Sequence, residues 1–477
     1  MDSAAAVIAA INDKFWYLII VLLVVAGVWF SFRTLVVQIR QFPEMLRTIT
    51  ERPTRDEHGD KGISAFKAFS ISAASRVGTG NVAGVAVAIV MGGPGAVFWM
   101  WLLAIIGGAT AFVESTLAQL YKVRGEGHTF KGGPAYYIRD ALGKRGVAIT
   151  FAVLITITYG FVFNAVQANS ISAAVQHSIG NDSMTARVMI GVALALVTGI
   201  VTFGGVRRVG AVTEYLVPIM ATAYLGVAAV VVIINIDHVP AMIGQIIGHA
   251  LGFTQITGAA VGTAIMQGMK RGLFSNEAGM GSVPNAAATA DVSHPVKQGL
   301  VQALGVYFDT LVVCSATAFV ILLSDPTFGG ELTGVELTQT SLQSQVGDWA
   351  GPFLTVVIFF LAYSSILGNS YYGEANIAFL SDTRGWLNGF RVLVLLCVIG
   401  GSMGSVALVW NTADLFMGMM ATINLVAIMP LGGLAVALLA HYLSQRAKGI
   451  EPTFVRDELP EARNVSCWSE AERFAER

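Results

Sequence analysis

The sequence predicts an all-α polytopic membrane protein with about eleven transmembrane helices, and three observations support that prediction. Of its 477 residues, 55% are hydrophobic and only 12% are charged, which is about half the charged fraction of a usual soluble domain. Apolar runs long enough to cross a bilayer, about 20 residues each, recur from residue 15 to residue 445. Two of these runs are interrupted by glycines and polar residues, which indicates helices that are broken within the membrane.

The spans follow one another with short connections. The first is longer than the apolar core of a signal peptide and no small-residue cleavage site follows it, so we expect a retained membrane helix. The last is long enough to be divided at Pro430. We expect helices lying on the membrane surface at 239–251 and 333–347. The predicted spans are 15–38, 65–91, 95–121, 149–178, 185–204, 209–236, 253–289, 297–324, 350–381, 387–409 and 412–445.

Basic residues are concentrated in alternate loops. The loops after the first and third predicted spans are rich in Lys and Arg, whereas 237–249 and 325–348 contain neither. Because basic loops stay in the cytoplasm, we expect the N-terminus outside and the C-terminus inside. The polar residues 447–477 would then form a cytoplasmic tail. The net charge of −1 gives no reason to expect a nucleic-acid partner.

The broken helices lie five spans apart. One break is predicted at 78–81 and the other at 272–281, where glycines and polar side chains interrupt apolar sequence. Unwound backbone persists in a bilayer only beside a polar cavity inside the protein. Because five is odd, 65–236 and 237–446 would form two five-helix repeats of opposite orientation, each with a break in its first helix. Residues 1–64 would hold an extra helix and the first loop.

The ends of broken helices suit a zwitterionic ligand. Free N–H groups at the N-terminus of a half-helix attract a carboxylate, whereas free carbonyls at a C-terminus attract an ammonium or Na⁺. An amino acid transported with a cation needs both kinds of end. The pattern therefore predicts a secondary transporter for such a substrate.

Four motifs resemble the alanine/glycine:cation symporter family, also described as sodium:alanine symporters. The resemblance implies the five-plus-five inverted-repeat fold of the leucine-transporter type, preceded by one extra helix. It also implies uptake of alanine, glycine or a similar amino acid, driven by Na⁺ or H⁺, across the plasma membrane, which in a bacterium is the inner membrane. The motifs are GTGNVAG at 78–84, QANSI at 167–171, RGLFSNEAG at 271–279 and SSILG at 364–368.

The same resemblance implies roles for individual residues. Backbone N–H groups at the first break would bind the substrate carboxylate, and the second break would supply the opposite wall. The Na⁺ shell would consist of oxygens alone, which hard cations favour. The implied substrate-binding residues are Thr79, Gly80, Asn81, Gln167, Phe274, Ser275, Asn276 and Asn369. The implied Na⁺ ligands are the backbone carbonyls of Ala74 and Val77 and the hydroxyls of Ser364 and Ser365.

Two positions depart from the pattern. A small residue often stands where this chain has Arg76, whose charge would repel a nearby cation, so we expect one Na⁺ site rather than two. Asn369 replaces a tryptophan, which would widen the pocket and admit serine or glutamine. Among the charged residues within the spans, Glu277 is expected to have a functional or gating role. Glu114 is expected to pair with a basic or polar neighbour that holds helices together, and Arg76 is one candidate for that neighbour.

Other function classes have less support. The sequence contains neither a His-Glu-x-x-His run nor a phosphate-binding loop, and 78–84 has the wrong spacing for a dinucleotide site. An enzyme and an ATP-driven pump are therefore disfavoured. A channel remains an alternative, since two broken helices can also line a pore, and H⁺ remains the alternative coupling ion. The sequence leaves the oligomeric state open.

Overall fold

The protein is described here from a computed structural model. It is helical, with one short antiparallel hairpin in which β1 (Val123–Arg124) pairs with β2 (Phe130–Lys131). Part of the first basic loop, residues 52–61, lies outside the described residues. The structure describes residues 2–51, 62–125, 129–203, 206–253, 258–325, 332–381 and 383–469.

Eleven helices occupy the described residues up to Ile234. The first covers the predicted first span, and π-helical segments at Gly80–Gly84 and Thr158–Phe163 join successive helices. The helices are α1 (Asp2–Arg33), α2 (Val37–Arg40), α3 (Phe42–Ile49), α4 (Ala65–Arg76), α5 (Val85–Gly92), α6 (Gly95–Leu120), α7 (Pro134–Asp140), α8 (Arg145–Ile157), α9 (Asn164–Ile179), α10 (Met184–Thr202) and α11 (Val206–Ile234).

Nine further helices follow within the described residues. A π-helical segment, Phe308–Cys314, lies within the membrane-length stretch Pro295–Leu322, and 3₁₀ turns occur at Ile236–His238 and Arg456–Glu458. The helices are α12 (Val239–Ala250), α13 (Gly258–Asn276), α14 (Val283–Ala287), α15 (Pro295–Tyr307), α16 (Ser315–Leu322), α17 (Gly334–Val346), α18 (Ala350–Leu380), α19 (Arg384–Met403) and α20 (Val406–Ala447).

The length and apolarity of the helices confirm a polytopic membrane protein. Within the described residues, eight helical stretches can cross a bilayer, or ten if each of two bent pairs counts as one span. The predicted total of eleven remains a prediction. The helices α12 and α17 confirm the expectation of short helices near 239–251 and 333–347, while their position relative to the membrane surface remains a prediction.

The last span is not divided at Pro430, although its length allowed a division there. Helix α20 runs for 42 residues and continues through Pro430. A proline removes one intrahelical hydrogen bond, but neighbouring helices in a membrane protein compensate for such a local loss. The helix therefore continues without interruption where the sequence alone allowed a break.

Both predicted breaks are present, and both are shorter than expected. Helical backbone resumes at Thr79 after the first break, and Gly80 and Asn81 lie in the π-helical segment. The first bends the chain by 52° between α4 and the segment that begins at Gly80. The second begins only at Glu277, because α13 continues to Asn276. Residues 272–276 are therefore helical. Gly272 packs closely against α6, where an added Cβ would lie 3.2 Å from Leu103 Cδ2, so this glycine serves helix packing rather than unwinding.

The residues after α20 fold back against the end of the bundle where α6 terminates. Phe454 and Trp468 are buried there. The Phe454 N–H donates to the Ser293 carbonyl at 2.9 Å, and the Trp468 indole N–H donates to the Gln119 carbonyl at 3.0 Å. The predicted tail is thus packed against the membrane domain as far as Trp468.

Candidate functional site

The first break begins where α4 ends at Arg76. Val77 leaves the helical conformation, with φ −80° and ψ 85°. The next two N–H groups are satisfied by side chains, since Gly78 donates to Asn81 Oδ1 and Thr79 donates to Gln167 Oε1, both at 3.1 Å. Amide side chains thus replace the helical hydrogen bonds, and this makes an unwound segment stable in the protein interior.

Two glycines allow other elements to approach this break. A Cβ added at Gly78 would collide with the Ser365 hydroxyl of α18. A Cβ added at Gly80 would lie 2.6 Å from the Phe274 ring of α13. Glycine is therefore required here by close packing, and both predicted sites are in contact with the same unwound segment.

The second break is held by side chains from α6 and α20. Glu277, Gly279 and Gly281 all have positive φ angles, of 57°, 86° and 83°. The Gly279 N–H donates to Glu114 Oε1 at 3.0 Å, and the Gly279 carbonyl accepts from Asn424 Nδ2 at 3.0 Å. A buried carboxylate and amide thus satisfy the unwound backbone on both sides.

Side chains that flank the two breaks meet directly. Asn81 Nδ2 donates to Ser275 Oγ at 3.0 Å, and Asn276 Nδ2 donates to Thr310 Oγ1 at 3.2 Å. The ring centroid of Phe274 lies 4.7 Å from that of Phe163 and 5.0 Å from that of Trp410. All eight residues implied by the resemblance are buried: Thr79, Gly80, Asn81, Gln167, Phe274, Ser275, Asn276 and Asn369.

The residues expected to hold Na⁺ lie on α4 and α18. Ser364 Oγ and Ser365 Oγ both donate to the Leu361 carbonyl, at 2.7 and 3.1 Å, and both serines are fully buried. A hydroxyl whose proton is engaged in this way keeps its lone pairs for a cation. Ala74 and Val77 are also fully buried, next to the segment that contacts Ser365.

Arg76, one candidate partner for Glu114, pairs with Asp309 instead. Arg76 Nε lies 2.9 Å from Asp309 Oδ2, and both side chains are fully buried. Glu114 instead accepts from Asn424 Nδ2 at 2.7 Å in addition to the Gly279 N–H. Because Asp309 balances the guanidinium charge, a cation near the first break meets a neutral pair rather than an isolated positive charge.

Sequence reasoning also missed an ion pair beside the aromatic residues. Arg271 Nη2 lies 2.5 Å from Asp414 Oδ2, and Arg271 lies 4.6 Å from the centre of the Trp410 ring. Both charged side chains are almost completely buried. Their occurrence inside apolar spans was the available signal, because charges at that depth are usually paired. The pair connects α13 to α20 one turn before Phe274.

Comparison with known proteins identifies the family. The model of the sodium:alanine symporter family matches residues 1–456. The amino-acid carrier protein AlsT of Bacillus subtilis (strain 168) is 47% identical over 97% of both chains. The probable sodium/glutamine symporter GlnT of the same organism is also 47% identical, over 97% of this chain and 95% of that protein. The sodium/alanine symporter AgcS of Methanococcus maripaludis is 37% identical, over 91% and 96%.

Solved structures define the fold. MhsT, crystallised in complex with L-phenylalanine, superposes with a TM-score of 0.56 over 90% of this chain and 97% of that protein. Its sequence is only 13% identical, so the likeness concerns the fold alone. The architecture is that of the leucine-transporter fold, as the family resemblance implied. The chain therefore belongs to the sodium:alanine symporter family and is a multi-pass membrane symporter for an amino acid, not an enzyme.

Proposed function

We propose that the chain couples Na⁺ entry to the uptake of a small neutral amino acid by alternating access. The observation that carries this proposal is the convergence of the two breaks: Asn81, shortly after the first, bonds to Ser275, two residues before the second, at 3.0 Å. Backbone N–H and carbonyl groups freed by unwinding thus lie near one another in a buried, polar region. Such a region suits a zwitterion together with a cation.

The carboxylate of the substrate binds at the first break. Gln167 Oε1 accepts the Thr79 N–H at 3.1 Å, which places an oxygen where a carboxylate oxygen would accept the same bond. The substrate replaces Gln167 at this N–H, and Gln167 then bonds to the substrate from the side. Gly80, Asn276 and the Phe274 ring complete the wall around the substrate, and their burial excludes water.

The cation binds between α4 and α18. The carbonyls of Ala74 and Val77 and the hydroxyls of Ser364 and Ser365 supply oxygen ligands without a titratable group, which favours Na⁺ over H⁺. Na⁺ binding holds the end of α4 against α18, so the cation stabilises the arrangement that also forms the substrate site.

Asn369 broadens the substrate range to serine and glutamine. Its amide occupies a position where an indole would fill the pocket, and one 47%-identical relative is named a probable sodium/glutamine symporter. An amide side chain complements the amide of glutamine, because each carries both a donor and an acceptor. Alanine and glycine remain substrates, since they fit within the larger pocket.

The remaining features of the proposal concern topology. Residues 65–236 and 237–446 form the inverted repeats, with 1–64 as the preceding unit and 447–477 as the cytoplasmic tail. The N-terminus lies outside, in agreement with the distribution of basic loops.

Uptake into liposomes tests the function. The purified protein is reconstituted and supplied with labelled alanine, glycine, serine or glutamine under a Na⁺ gradient or a H⁺ gradient applied separately. We expect accumulation of these substrates under the Na⁺ gradient alone. Accumulation driven only by H⁺ would reject Na⁺ coupling. Ion flux far above about 10³ per second without substrate would identify a channel instead.

A further inference from the structure

Three buried side chains connect the two proposed sites. Ser75, in the last turn of α4, lies with its Oγ 3.1 Å from Glu277 Oε1 in the second break and 2.7 Å from Asn369 Oδ1 on α18. None of the three residues is more than 5% exposed. In such surroundings a hydrogen bond is not readily exchanged for one to water, so the three groups respond to one another.

The three hydrogen-bonded side chains lie next to the residues proposed to bind Na⁺ and the substrate. Ser75 follows Ala74, a proposed Na⁺ ligand, and Asn369 lies four residues after Ser365, on the same face of α18. At Gly368 an added Cβ would lie 2.8 Å from the Ser75 backbone nitrogen, so α4 and α18 are in backbone contact. One hydrogen-bond chain therefore links a residue beside the cation to a residue beside the substrate.

Glu277 is held firmly at the other end. Its φ angle of 57° is uncommon for a residue with a side chain, and it places the carboxylate within the unwound segment. Ser282 Oγ donates to Glu277 Oε2 at 2.6 Å, which leaves Oε1 for Ser75. The carboxylate is thus a fixed acceptor toward which Ser75 can turn.

The hydrogen bonds among Ser75, Glu277 and Asn369 have two alternative arrangements. A hydroxyl has one proton, so Ser75 donates either to Asn369 Oδ1 or to Glu277 Oε1. Asn369 Nδ2 is buried and has no hydrogen-bond partner among the described residues. If the Asn369 amide flips, so that Oδ1 and Nδ2 exchange positions, Nδ2 donates to Ser75 while Ser75 donates to Glu277. All three groups are then satisfied, and the Asn369 oxygen is released for a donor on the substrate.

We propose that Ser75 and Glu277 are positioning residues that couple Na⁺ binding to amino-acid binding through Asn369. This inference rests on the proposed function. A cation bound between α4 and α18 fixes the distance from Ser75 to Asn369 and favours the arrangement that ends at Glu277. A substrate that donates to the Asn369 oxygen favours the same arrangement. Each ligand therefore raises the affinity for the other, as linkage requires.

The coupling is measured as the ratio of the glutamine affinity at saturating Na⁺ to the glutamine affinity at low Na⁺. Binding of labelled glutamine to the full-length protein in lipid nanodiscs is determined at low and at saturating Na⁺. In the wild type we expect the affinity to rise by a factor within the usual range of about 5 to 150. For Ser75→Ala we expect that factor to fall by about fivefold or more. If the role of Ser75 were purely structural, Ser75→Ala would weaken glutamine binding equally at low and at saturating Na⁺, and the ratio would not change.

Two further variants make the result decisive. Glu277→Gln replaces a charged acceptor by a neutral one and should lower the ratio partway, because charged hydrogen bonds are about twice as strong. Ser70→Ala removes a hydroxyl of the same helix that donates only to the Phe66 carbonyl among the described residues, at 2.9 Å, and should keep the wild-type ratio. If Ser75→Ala does not fold, Glu277→Gln decides alone.

The outcomes separate the two proposals. A wild type whose glutamine and alanine affinities do not depend on Na⁺ would reject the proposed function, and the coupling with it. A Na⁺-dependent wild type whose ratio is preserved in Ser75→Ala and in Glu277→Gln would reject only the coupling. A reduced ratio in both variants, with Ser70→Ala unchanged, supports it.

Discussion

Arg76 and Asp309 form an ion pair 2.9 Å long, with both side chains fully buried, at the point where α4 ends. The guanidinium also lies 3.2 Å from Ser72 Oγ and 3.4 Å from Gln302 Oε1. Two charges are thus enclosed near the proposed site, and each is tolerated because of the other. The pair fixes the end of the first half-helix against the π-helical segment Phe308–Cys314.

Removing one charge of this pair should destabilise the fold strongly. Asp309→Asn leaves the Arg76 charge buried without its counter-charge, and breaking such a pair costs about 3–5 kcal/mol. Thermal unfolding in detergent should show a large fall in melting temperature. Asp182→Asn, which breaks an exposed pair with Arg187, is the matched control and should change the free energy of unfolding by no more than about 1 kcal/mol.

Removing both charges should be tolerated better than removing one. Arg76→Met combined with Asp309→Leu replaces the pair by apolar side chains, which is often neutral for stability. We expect the double variant to melt at a higher temperature than either single variant. A double variant as unstable as the sum of the two single ones would show that the stabilisation does not come from charge compensation.

The proposed Na⁺ ligands predict a selective loss of Na⁺ activation. Ser364→Ala or Ser365→Ala removes one oxygen ligand from the shell. The Na⁺ concentration for half-maximal uptake should then rise about tenfold, which corresponds to about 1.4 kcal/mol. Substrate affinity at saturating Na⁺ should change less. Ser402→Ala, on α19, removes a buried hydroxyl that also donates to its own helix and should leave Na⁺ activation unaltered. Unchanged Na⁺ dependence in both site variants would reject this cation site.

A larger side chain at position 369 should restrict the size of the substrates that are transported. In Asn369→Trp, the indole would fill part of the pocket, and the amide that contacts Ser75 would be lost. Transport should then be limited to alanine and glycine, with uptake of glutamine lost in competition assays. Asn369→Ala is the comparison, since it leaves the pocket open but lacks the amide, so glutamine should enter with a weaker affinity. A wild type that already refuses glutamine would contradict the enlarged pocket.

Acid should loosen the docking of the C-terminal segment. Glu451 bonds to Lys297 Nζ at 2.6 Å and to Arg47 Nη1 at 3.0 Å. Burial opposes ionisation of Glu451, but hydrogen bonds from Arg47 and Lys297 outweigh it and lower its pKa below the usual value for glutamate. Because the pKa of Glu451 is lower in the folded protein than in the unfolded chain, its ionised carboxylate stabilises the fold at pH values above the unfolded-state pKa. This stability is lost as the pH falls below about 4.

The melting temperature as a function of pH tests this docking. Glu451→Gln should show a smaller decrease than the wild type between about pH 5 and pH 3. Glu336→Gln is the control, because Glu336 has no ion pair among the described residues. Identical pH profiles for the wild type and Glu451→Gln would show that Glu451 contributes nothing to the stability of the docked segment.

Features that depend on local composition could be predicted from the sequence. Hydropathy located the membrane helices, because a bilayer imposes a minimum apolar length on each of them. Glycines and polar residues located the break at Gly78 and the neighbourhood of the break at Glu277, because both oppose helix formation whatever surrounds them. Motifs of the family supplied the candidate residues, and the structure buries all of them.

Features that depend on partners distant in sequence could be seen only in the folded protein. Arg76 pairs with Asp309 rather than Glu114, α13 continues to Asn276 before it breaks, and α20 passes Pro430. Neither hydropathy nor composition distinguishes between these alternatives. A buried charge or an unpaired N–H takes the partner that packing brings within about 3 Å, and that choice exists only once the helices have assembled.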